Sequence, residues 1–101
     1  ITKSNQIHMN KKCALIKSLL KGDIINVSNS IKLTGYSNPA REIPREVEKP
    51  FGCVVSRVKM EGRDQFGNYV TWYDYRFNPR IDKNAKATKK MKEYLEKETN
   101  R

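Results

Sequence analysis

The chain of 101 residues carries 21 Lys and Arg against 11 Asp and Glu, which gives a formal charge of +10 at pH 7. With 37 % hydrophobic residues it has room for one domain with a small core. No apolar run approaches the roughly 18 residues that span a bilayer, so we expect no membrane partner. A field of this sign attracts phosphate backbones or anionic lipid headgroups, and charge alone leaves DNA, RNA and a merely solvated surface equally open.

Residues 1–9 contain no apolar core of a signal peptide, and we expect them to form a flexible N-terminal segment. The one histidine, His8, lies there without a Ser/His pair, paired carboxylates or a phosphate-cradling glycine loop, so we expect neither enzymatic activity nor a cofactor. Cys13 and Cys53 lie among apolar residues, which is typical of buried free thiols in a reducing cytoplasm. These few ligands cannot complete a zinc site, and no metal is expected.

A first helix is predicted over residues 10–20. Its apolar side chains recur at three- and four-residue steps, which puts them on one face and leaves lysines on the other. Gly22 supplies a stop signal, and the β-branched Ile24 and Ile25 predict a very short strand at 23–25. The apolar face consists of Cys13, Ile16, Leu19 and Leu20.

Two short helices joined by a glycine turn are predicted between residues 26 and 48. Asn26 can cap the first, which ends near Gly35, and the second restarts at Asn38-Pro39, an N-cap residue followed by the helical position that accepts proline. This is the helix-turn-helix arrangement, whose second helix commonly lies in a DNA major groove. An ordinary helical hairpin on a basic surface is the alternative. The apolar positions of the first helix are Val27, Ile31 and Leu33.

Pro44 lies inside the second helix of this pair. It has no N–H, and its ring crowds the carbonyl of Ala40 in a regular α-helix. We therefore expect a bent helix over roughly 39–48, with a regular part that starts only at Pro44 as the alternative. Ile43 and Val47, four residues apart, are predicted to face the core. The residues expected outside are Ala40, Arg41, Arg45 and Glu48.

A β-hairpin follows the helix pair. Residues 53–60 are rich in valine and predict one strand, residues 69–77 predict a second, and a loop spans 61–68. The order helix, short strand, helix, helix, strand, loop, strand is the winged helix-turn-helix layout, with a three-helix core and the hairpin as its wing. We therefore expect an α+β fold with a winged helix-turn-helix domain at 10–79.

An additional basic helix is predicted in the C-terminal segment, residues 80–101. Asp82 is a candidate cap, and one face carries a narrow apolar stripe. The helix can dock on the same chain, pair with a second copy or another protein, or project into solvent, and docking is the first expectation. The stripe consists of Ala87, Met91, Tyr94 and Leu95.

Candidate DNA contacts lie on the second helix of the pair. Arg41 and Arg45 are four apart and share a face. Arginine can hold guanine O6 and N7 with two hydrogen bonds, whereas asparagine, here Asn38, suits adenine. Ser37 and Asn38 also place backbone N–H groups where a phosphate can approach. In the alternative, both arginines pair on the surface with acidic neighbours, namely Glu42, Glu46 or Glu48.

The hairpin supplies a second set of candidates, for which a solvated turn is the alternative. Its loop tip corresponds to the part of a wing that meets the minor groove or the flanking backbone. Lys32, near the end of the first helix of the pair, is a candidate phosphate contact, while the lysines of 83–92 are expected to be solvated. The hairpin candidates are Arg57, Lys59, Arg63, Gln65 and Asn68.

The stretch 11–79 resembles the small winged helix-turn-helix DNA-binding domains of bacterial phages and mobile elements. The similarity lies in the helix 13–20, the turn 33–36, the segment 38–43 and the hairpin end 72–77, while Pro44 departs from a regular recognition helix. The resemblance implies sequence-specific binding of double-stranded DNA through residues 38–45, assisted by the wing at 63–68. It also implies a nucleoid-associated protein of the bacterial cytoplasm, acting as a transcriptional regulator or an excision, recombination or replication accessory factor.

Two other functions stay open. One is a winged helix for protein–protein interaction, without specific DNA binding, that uses the C-terminal helix or the aromatic strand. The other is a module for single-stranded RNA, because strand aromatics can stack bases. We expect these aromatics mainly to fill the core, with Trp72 as the exception. They are Trp72, Tyr73, Tyr75 and Phe77.

Overall fold

The computed structural model describes residues 10–99, so the expectations for residues 1–9, His8 included, and for residues 100–101 fall outside it. Helices and one antiparallel hairpin make up the fold, which confirms the α+β class. In chain order the elements are α1 (Lys11–Lys21), α2 (Ser30–Thr34), α3 (Pro39–Ile43), a π-helical segment (Pro44–Glu48), α4 (Lys49–Phe51), β1 (Val55–Arg63), β2 (Tyr69–Phe77) and α5 (Asp82–Thr99). Of the helices within 10–99, none combines the length and apolar character needed to cross a bilayer.

The first helix, α1, begins and ends one residue later than the predicted 10–20, and Asn10 is its cap rather than its first residue. Asn10 Oδ1 accepts a hydrogen bond from the N–H of Cys13 at 2.8 Å, which is a side-chain N-cap. At the other end Gly22 adopts φ +89°, a left-handed conformation that glycine reaches without strain. Ile16 and Leu19 are fully buried, and each contributes about 1.5–3 kcal/mol through burial. The predicted apolar face of α1 is therefore confirmed.

The turn before α2 begins at Asn26, but the helix itself starts later than predicted. Asn26 Oδ1 accepts from the N–H groups of Ser28 and Asn29 at 3.1 Å each, so its side chain closes a turn rather than capping the helix. The helix runs over Ser30–Thr34 and ends at Gly35, whose φ is +84°. The predicted glycine turn is confirmed, and the predicted Asn26 cap is wrong.

The inward face of α2 also differs from the prediction. Val27 is 61 % exposed and Ile31 is 64 % exposed, whereas Leu33 packs against the core. Ser30 and Thr34 are the buried residues, and their polar groups are satisfied because Thr34 Oγ1 donates to the carbonyl of Ser30 at 2.8 Å. A helix of five residues offers too few positions for periodicity to identify its buried face.

The second helix of the pair continues without a break from α3 through the π segment to α4. Pro44 cannot donate to Ala40, and at this point the winding changes, because the N–H of Lys49 donates to the carbonyl five residues back, that of Pro44. The predicted bend thus takes the form of a π segment, and the helical region reaches Phe51 rather than residue 48. Ile43 and Val47 are fully buried, as predicted.

The hairpin β1–β2 is longer than predicted on its first strand. Strand β2 has the predicted bounds, but β1 extends to Arg63, so the loop spans 64–68 rather than 61–68. The predicted short strand at 23–25 is a single bridge, in which the N–H of Ile25 donates to the carbonyl of Tyr75 at 2.9 Å and the N–H of Tyr75 donates back at 2.7 Å. This bridge fastens the base of the hairpin to the helical part.

Most of the hairpin projects away from the core. Each strand has nine residues, which at about 3.4 Å per residue extends about 27 Å from base to tip. The buried residues of the hairpin lie at its base, at Val55, Tyr75 and Phe77. The expectation that Tyr73 fills the core is therefore wrong, since this side chain lies beyond the base and is exposed, while Trp72 is half-buried.

The C-terminal helix α5 docks on its own chain, as first expected. Ala87 and Met91 are buried in the same core as α1 and the hairpin base, and the ring of Tyr94 meets that of Phe51 edge-on at 5.8 Å between centroids. Asn84, which the sequence analysis missed, is fully buried. Its side chain accepts from the N–H of Val54 and donates to the carbonyls of Val54 and Asn78, each at 2.8 Å.

Candidate nucleic-acid interface

The outer face of the second helix is basic. Arg41 and Arg45 point outward, with side chains 65 % and 67 % exposed. Lys49 is exposed four residues further on, so three cations follow one another at four-residue steps along this helix. Lys49 was missed by the sequence analysis, although its spacing from Arg45 could have indicated it. We call Arg41, Arg45 and Lys49 the basic ridge.

The acidic residues of the same helix lie beneath this ridge. Glu42 is only 6 % exposed, and it forms ion pairs with Arg41 at 2.8 Å and with Arg45 at 3.9 Å. The alternative to DNA contact, in which both arginines pair with acidic neighbours, is thus observed for Glu42. Because the carboxylate is buried while both guanidinium groups stay exposed, the outward surface remains cationic. Buried charge is tolerated here because it is paired.

Glu46 and Glu48 are likewise used within the fold. Glu46 Oε1 accepts from the hydroxyl of Tyr36 at 3.4 Å, and its other oxygen lies 3.9 Å from Nε of Arg45. Burial, followed by the charges of Glu46 and Glu42, raises the pKa of Tyr36 above its ordinary value. Glu48, expected outside, is half-buried, because one carboxylate oxygen accepts from the N–H of Val55 at 2.7 Å. All three acidic side chains are thus buried or half-buried, and Glu42 and Glu46 pair with arginines of the basic ridge from beneath.

The start of the helix presents short polar side chains. Asn38 Oδ1 accepts from the N–H of Arg41 at 3.3 Å, which confirms the predicted N-cap next to Pro39. Ser37 and Asn38 are both exposed, and so is Lys32 on α2. These candidates lie on the helix pair, although the capping bond already occupies the oxygen of Asn38. Their predicted contact with DNA stays a prediction.

Arg57, a hairpin candidate, has partners inside the protein. Its Nη2 lies 2.9 Å from Oε1 of Glu48, and its guanidinium stacks over the ring of Tyr75 at 5.5 Å. The hydrogen bond that Arg57 donates to Glu48 raises the pKa of Arg57 above its ordinary value. This arginine holds the base of β1 against the π segment, so the structure gives it a role within the fold, and its contact with DNA stays a prediction.

Lys59 and Arg63 lie further out on the same face of β1. The strand register pairs Lys59 with Tyr73 and Arg63 with Tyr69, and all four side chains are exposed. One face of the projecting hairpin therefore carries two pairs of a cation and a tyrosine, separated by Glu61 opposite Thr71, and the carboxylate of Glu61 accepts a hydrogen bond from the hydroxyl of Tyr69. The prediction that Arg57 and Lys59 share one face of the strand is confirmed. The sequence analysis expected Trp72, which lies on the opposite face, to be the exposed aromatic side chain.

The hairpin tip is organised by one carboxylate. Asp64 Oδ1 accepts from the N–H groups of Phe66 and Asn68, each at 2.9 Å, and these bonds keep the pKa of Asp64 below its usual value. The side-chain amide of Asn68 also donates to Asp64 at 3.3 Å. Gln65 is exposed at the tip. Asn68 therefore serves the turn, and Gln65 and Phe66 face solvent.

Within residues 10–99 the structure contains no group of three His, Cys, Asp or Glu residues placed to hold a metal ion. Cys13 and Cys53 are free and buried, as the sequence analysis predicts. Burial raises the pKa of both thiols, that of Cys53 to about 11. Thiols that are protonated and shielded in this way are structural residues rather than nucleophiles.

Comparison of the chain with protein-family models, curated proteins and solved structures found no match. The function must therefore be inferred from the residues and their arrangement.

Proposed function

We propose that the protein is a winged helix-turn-helix domain that binds double-stranded DNA in a sequence-specific manner. The segment 39–48 lies in the major groove, and the wing, predicted at 61–68 and centred on the loop 64–68, contacts the flanking DNA. It acts without catalysis, as a transcriptional regulator or an excision or recombination accessory factor of a bacterial phage or mobile element. The observation that carries this proposal is the separation of charge on the second helix, with acids inside and the basic ridge outside.

The charge separation supports binding to DNA rather than a basic surface that is merely solvated. A major groove admits one α-helix, and its walls are lined with phosphates. If Glu42 and Glu46 faced outward, they would oppose this approach by like-charge repulsion. The burial of Glu42 and the partial burial of Glu46 reduce that cost. The exposed parts of the Arg41 and Arg45 guanidinium groups outside these ion pairs can reach guanine edges or phosphates.

The position of the hairpin supports a second contact. The hairpin extends about 27 Å, and one turn of B-DNA measures about 34 Å, so the tip can reach a groove beside the one that holds the helix. The ion pair between Arg57 and Glu48 ties the hairpin to the same helix. Both contacts can therefore be made by one rigid unit, with Lys59, Arg63 and Gln65 as the contacts of the wing.

Selection of bound duplexes from a random library at near-physiological salt tests the proposal. We expect enrichment of one sequence motif, and an affinity that falls with a log–log salt slope of about −0.9 per phosphate contact. Enrichment of no motif, together with duplex binding that competitor DNA removes entirely, would overturn it.

A second candidate function is binding of single-stranded RNA. The observation that favours it is the exposure of two tyrosine rings, Tyr69 and Tyr73, on one face of the hairpin, since exposed rings can stack unpaired bases. Competition between a selected duplex and single-stranded RNA of equal length separates the two. Preferential RNA binding that depends on Tyr73, and not on Arg41, would support this candidate.

A further inference from the structure

Phe66 at the hairpin tip is the most exposed large apolar side chain within residues 10–99. It is 78 % exposed, and the sequence analysis assigned it no role. Because it occupies the point of the hairpin farthest from the core, burial within this chain does not explain it. A large apolar ring at the exposed tip of a hairpin is suited to insert into a binding partner.

The turn that carries Phe66 is held by several bonds. Besides the bonds to Asp64 described above, the backbone of Asp64 pairs with Asn68 at 2.9 Å and with Gly67 at 3.0 Å. Arg63 Nη1 donates to the carbonyl of Gly67, also at 3.0 Å. Gly67 adopts φ +83°, which closes the turn without strain. The ring is therefore presented by a pre-organised turn rather than by a loose loop.

The outer hairpin has its own stiffening contacts. On the face opposite the tyrosines, the ring of Trp72 lies over Gly62, where a Cβ would come within 3.2 Å of it. Trp72 Nε1 donates to Asp74 at 3.2 Å, and the side-chain amide of Asn26 donates to the same oxygen at 3.0 Å. These bonds link β2 to the helical part of the domain. The hairpin is therefore stiff enough to hold its tip in place when the tip contacts another molecule.

We propose that Phe66 is a wedge that enters the minor groove of the bound duplex and partly unstacks one base step, which bends the DNA. This inference rests on the proposed binding of double-stranded DNA. Proteins that bend DNA through the minor groove use apolar side chains in this way, and polar or cationic neighbours read the groove beside the wedge. Here Arg63 and Gln65 are the flanking residues. Flexible pyrimidine–purine steps are the sites that such a wedge opens most easily.

The test uses the full chain and a duplex of about 30 base pairs carrying the selected motif. Fluorescent dyes at its two ends report bending, and 2-aminopurine, substituted in turn at each step flanking the motif, reports unstacking. We expect the wild-type protein to raise the 2-aminopurine signal several-fold at one step and to shorten the end-to-end distance. Phe66→Ala should abolish both effects and weaken binding by about tenfold or less, whereas Phe66→Leu should retain most of the distortion.

Val58→Ala is the matched control, because it truncates another exposed apolar side chain of the hairpin, 56 % exposed, that takes no part in the proposed DNA contacts. Unchanged Trp72 fluorescence in every variant verifies that the hairpin is folded. Duplex binding without distortion, or distortion that Phe66→Ala leaves intact, overturns the wedge and leaves DNA binding standing; Phe66 would then contact a different partner, such as a protein. Failure of the wild-type protein to bind any duplex removes the DNA function and the wedge together.

Discussion

Arg57 on β1 and Glu48 at the end of the π segment form an ion pair of 2.9 Å that joins the hairpin to the second helix. The same carboxylate accepts from the N–H of Val55, the first residue of β1. Glu48, which the sequence analysis expected on the outside, thus sets the angle between the second helix and the hairpin, the two parts of the proposed DNA interface.

Removal of the Arg57 side chain should destabilise the protein. Arg57→Ala leaves half-buried Glu48 without its cation, and we expect the free energy of unfolding to fall by about 1–2 kcal/mol, as for a charged hydrogen bond. Urea denaturation measures the change. The control is Arg76→Ala, at an exposed arginine on β2, for which a change within about 0.5 kcal/mol is expected. Strict additivity of Arg57→Ala and Glu48→Gln in a double-mutant cycle would show that the pair does not interact.

Arg41 and Arg45 should contribute to DNA binding in one of two distinguishable ways. Loss of a phosphate contact weakens binding to all duplexes and lowers the magnitude of the salt slope by about 0.9. Loss of a base contact costs about 1–3 kcal/mol at one position of the motif and relaxes the preference there. Binding of Arg41→Ala and Arg45→Ala to single-base variants of the site separates the two.

Lys97→Ala, with the same change of charge on α5, is the control for these two variants. If both arginine variants match it in affinity, salt slope and base preference, the basic ridge is not the DNA contact.

Asn84 should be one of the most sensitive positions of α5. Asn84→Ala leaves one N–H and two carbonyls without their partner, and we expect a loss of about 2–4 kcal/mol of stability. The control is Lys86→Ala, two residues later on the same helix and exposed, with an expected change within about 0.5 kcal/mol. Thermal or urea unfolding measures both, and equal stability of the two variants would contradict the role of Asn84.

The stability of the protein should fall in alkaline solution because of Cys53. Burial raises the pKa of this thiol from 9.0 to about 11, and its hydrogen on Sγ is donated to the carbonyl of Val47. A pKa raised on folding means that the folded state holds the proton more tightly. The stabilisation is therefore complete below about pH 9 and is lost as the pH rises through about 11.

Unfolding of wild type and of Cys53→Ala between pH 8 and 11 measures this effect, because the variant lacks the thiol but keeps the tyrosines that titrate in the same range. We expect the stability difference between the two proteins to shrink as the pH rises. A constant difference would show that the thiolate is tolerated in the fold.

Local patterns predicted the fold well wherever the interactions join residues close in sequence. The Gly22 stop of α1 depends on bonds to Leu19 and Ser18, within one turn of the helix. The bounds of β2 follow from its alternation, and the buried positions Ile43 and Val47 follow from their spacing. The same reasoning placed Val27 and Ile31 inward, because a short helix has apolar residues on more than one side and the pattern does not say which side meets the core.

The arrangement of the candidate interface was harder to predict, because more of it depends on contacts between residues far apart in the sequence. That Arg41 and Arg45 share a face follows from their spacing alone, and so does the exposure of Lys49 beyond them. The roles of Glu48 and Asn84 do not, since their partners lie on other elements, Arg57 on β1 and the backbone of Val54. Composition showed only that the chain is basic; the position of its acidic side chains beneath the ridge became visible with the packing of the second helix.

The linear order of residues was sufficient for the glycine turn at Gly35, the cap at Asn38 and the irregularity at Pro44, because steric limits and hydrogen bonds within one turn act before any packing occurs. Packing was needed to decide which side of α2 is buried, which cations remain outward and how the hairpin is fastened. Burial and charge pairing depend on the distance to elements far along the chain, and that distance exists only in the folded molecule.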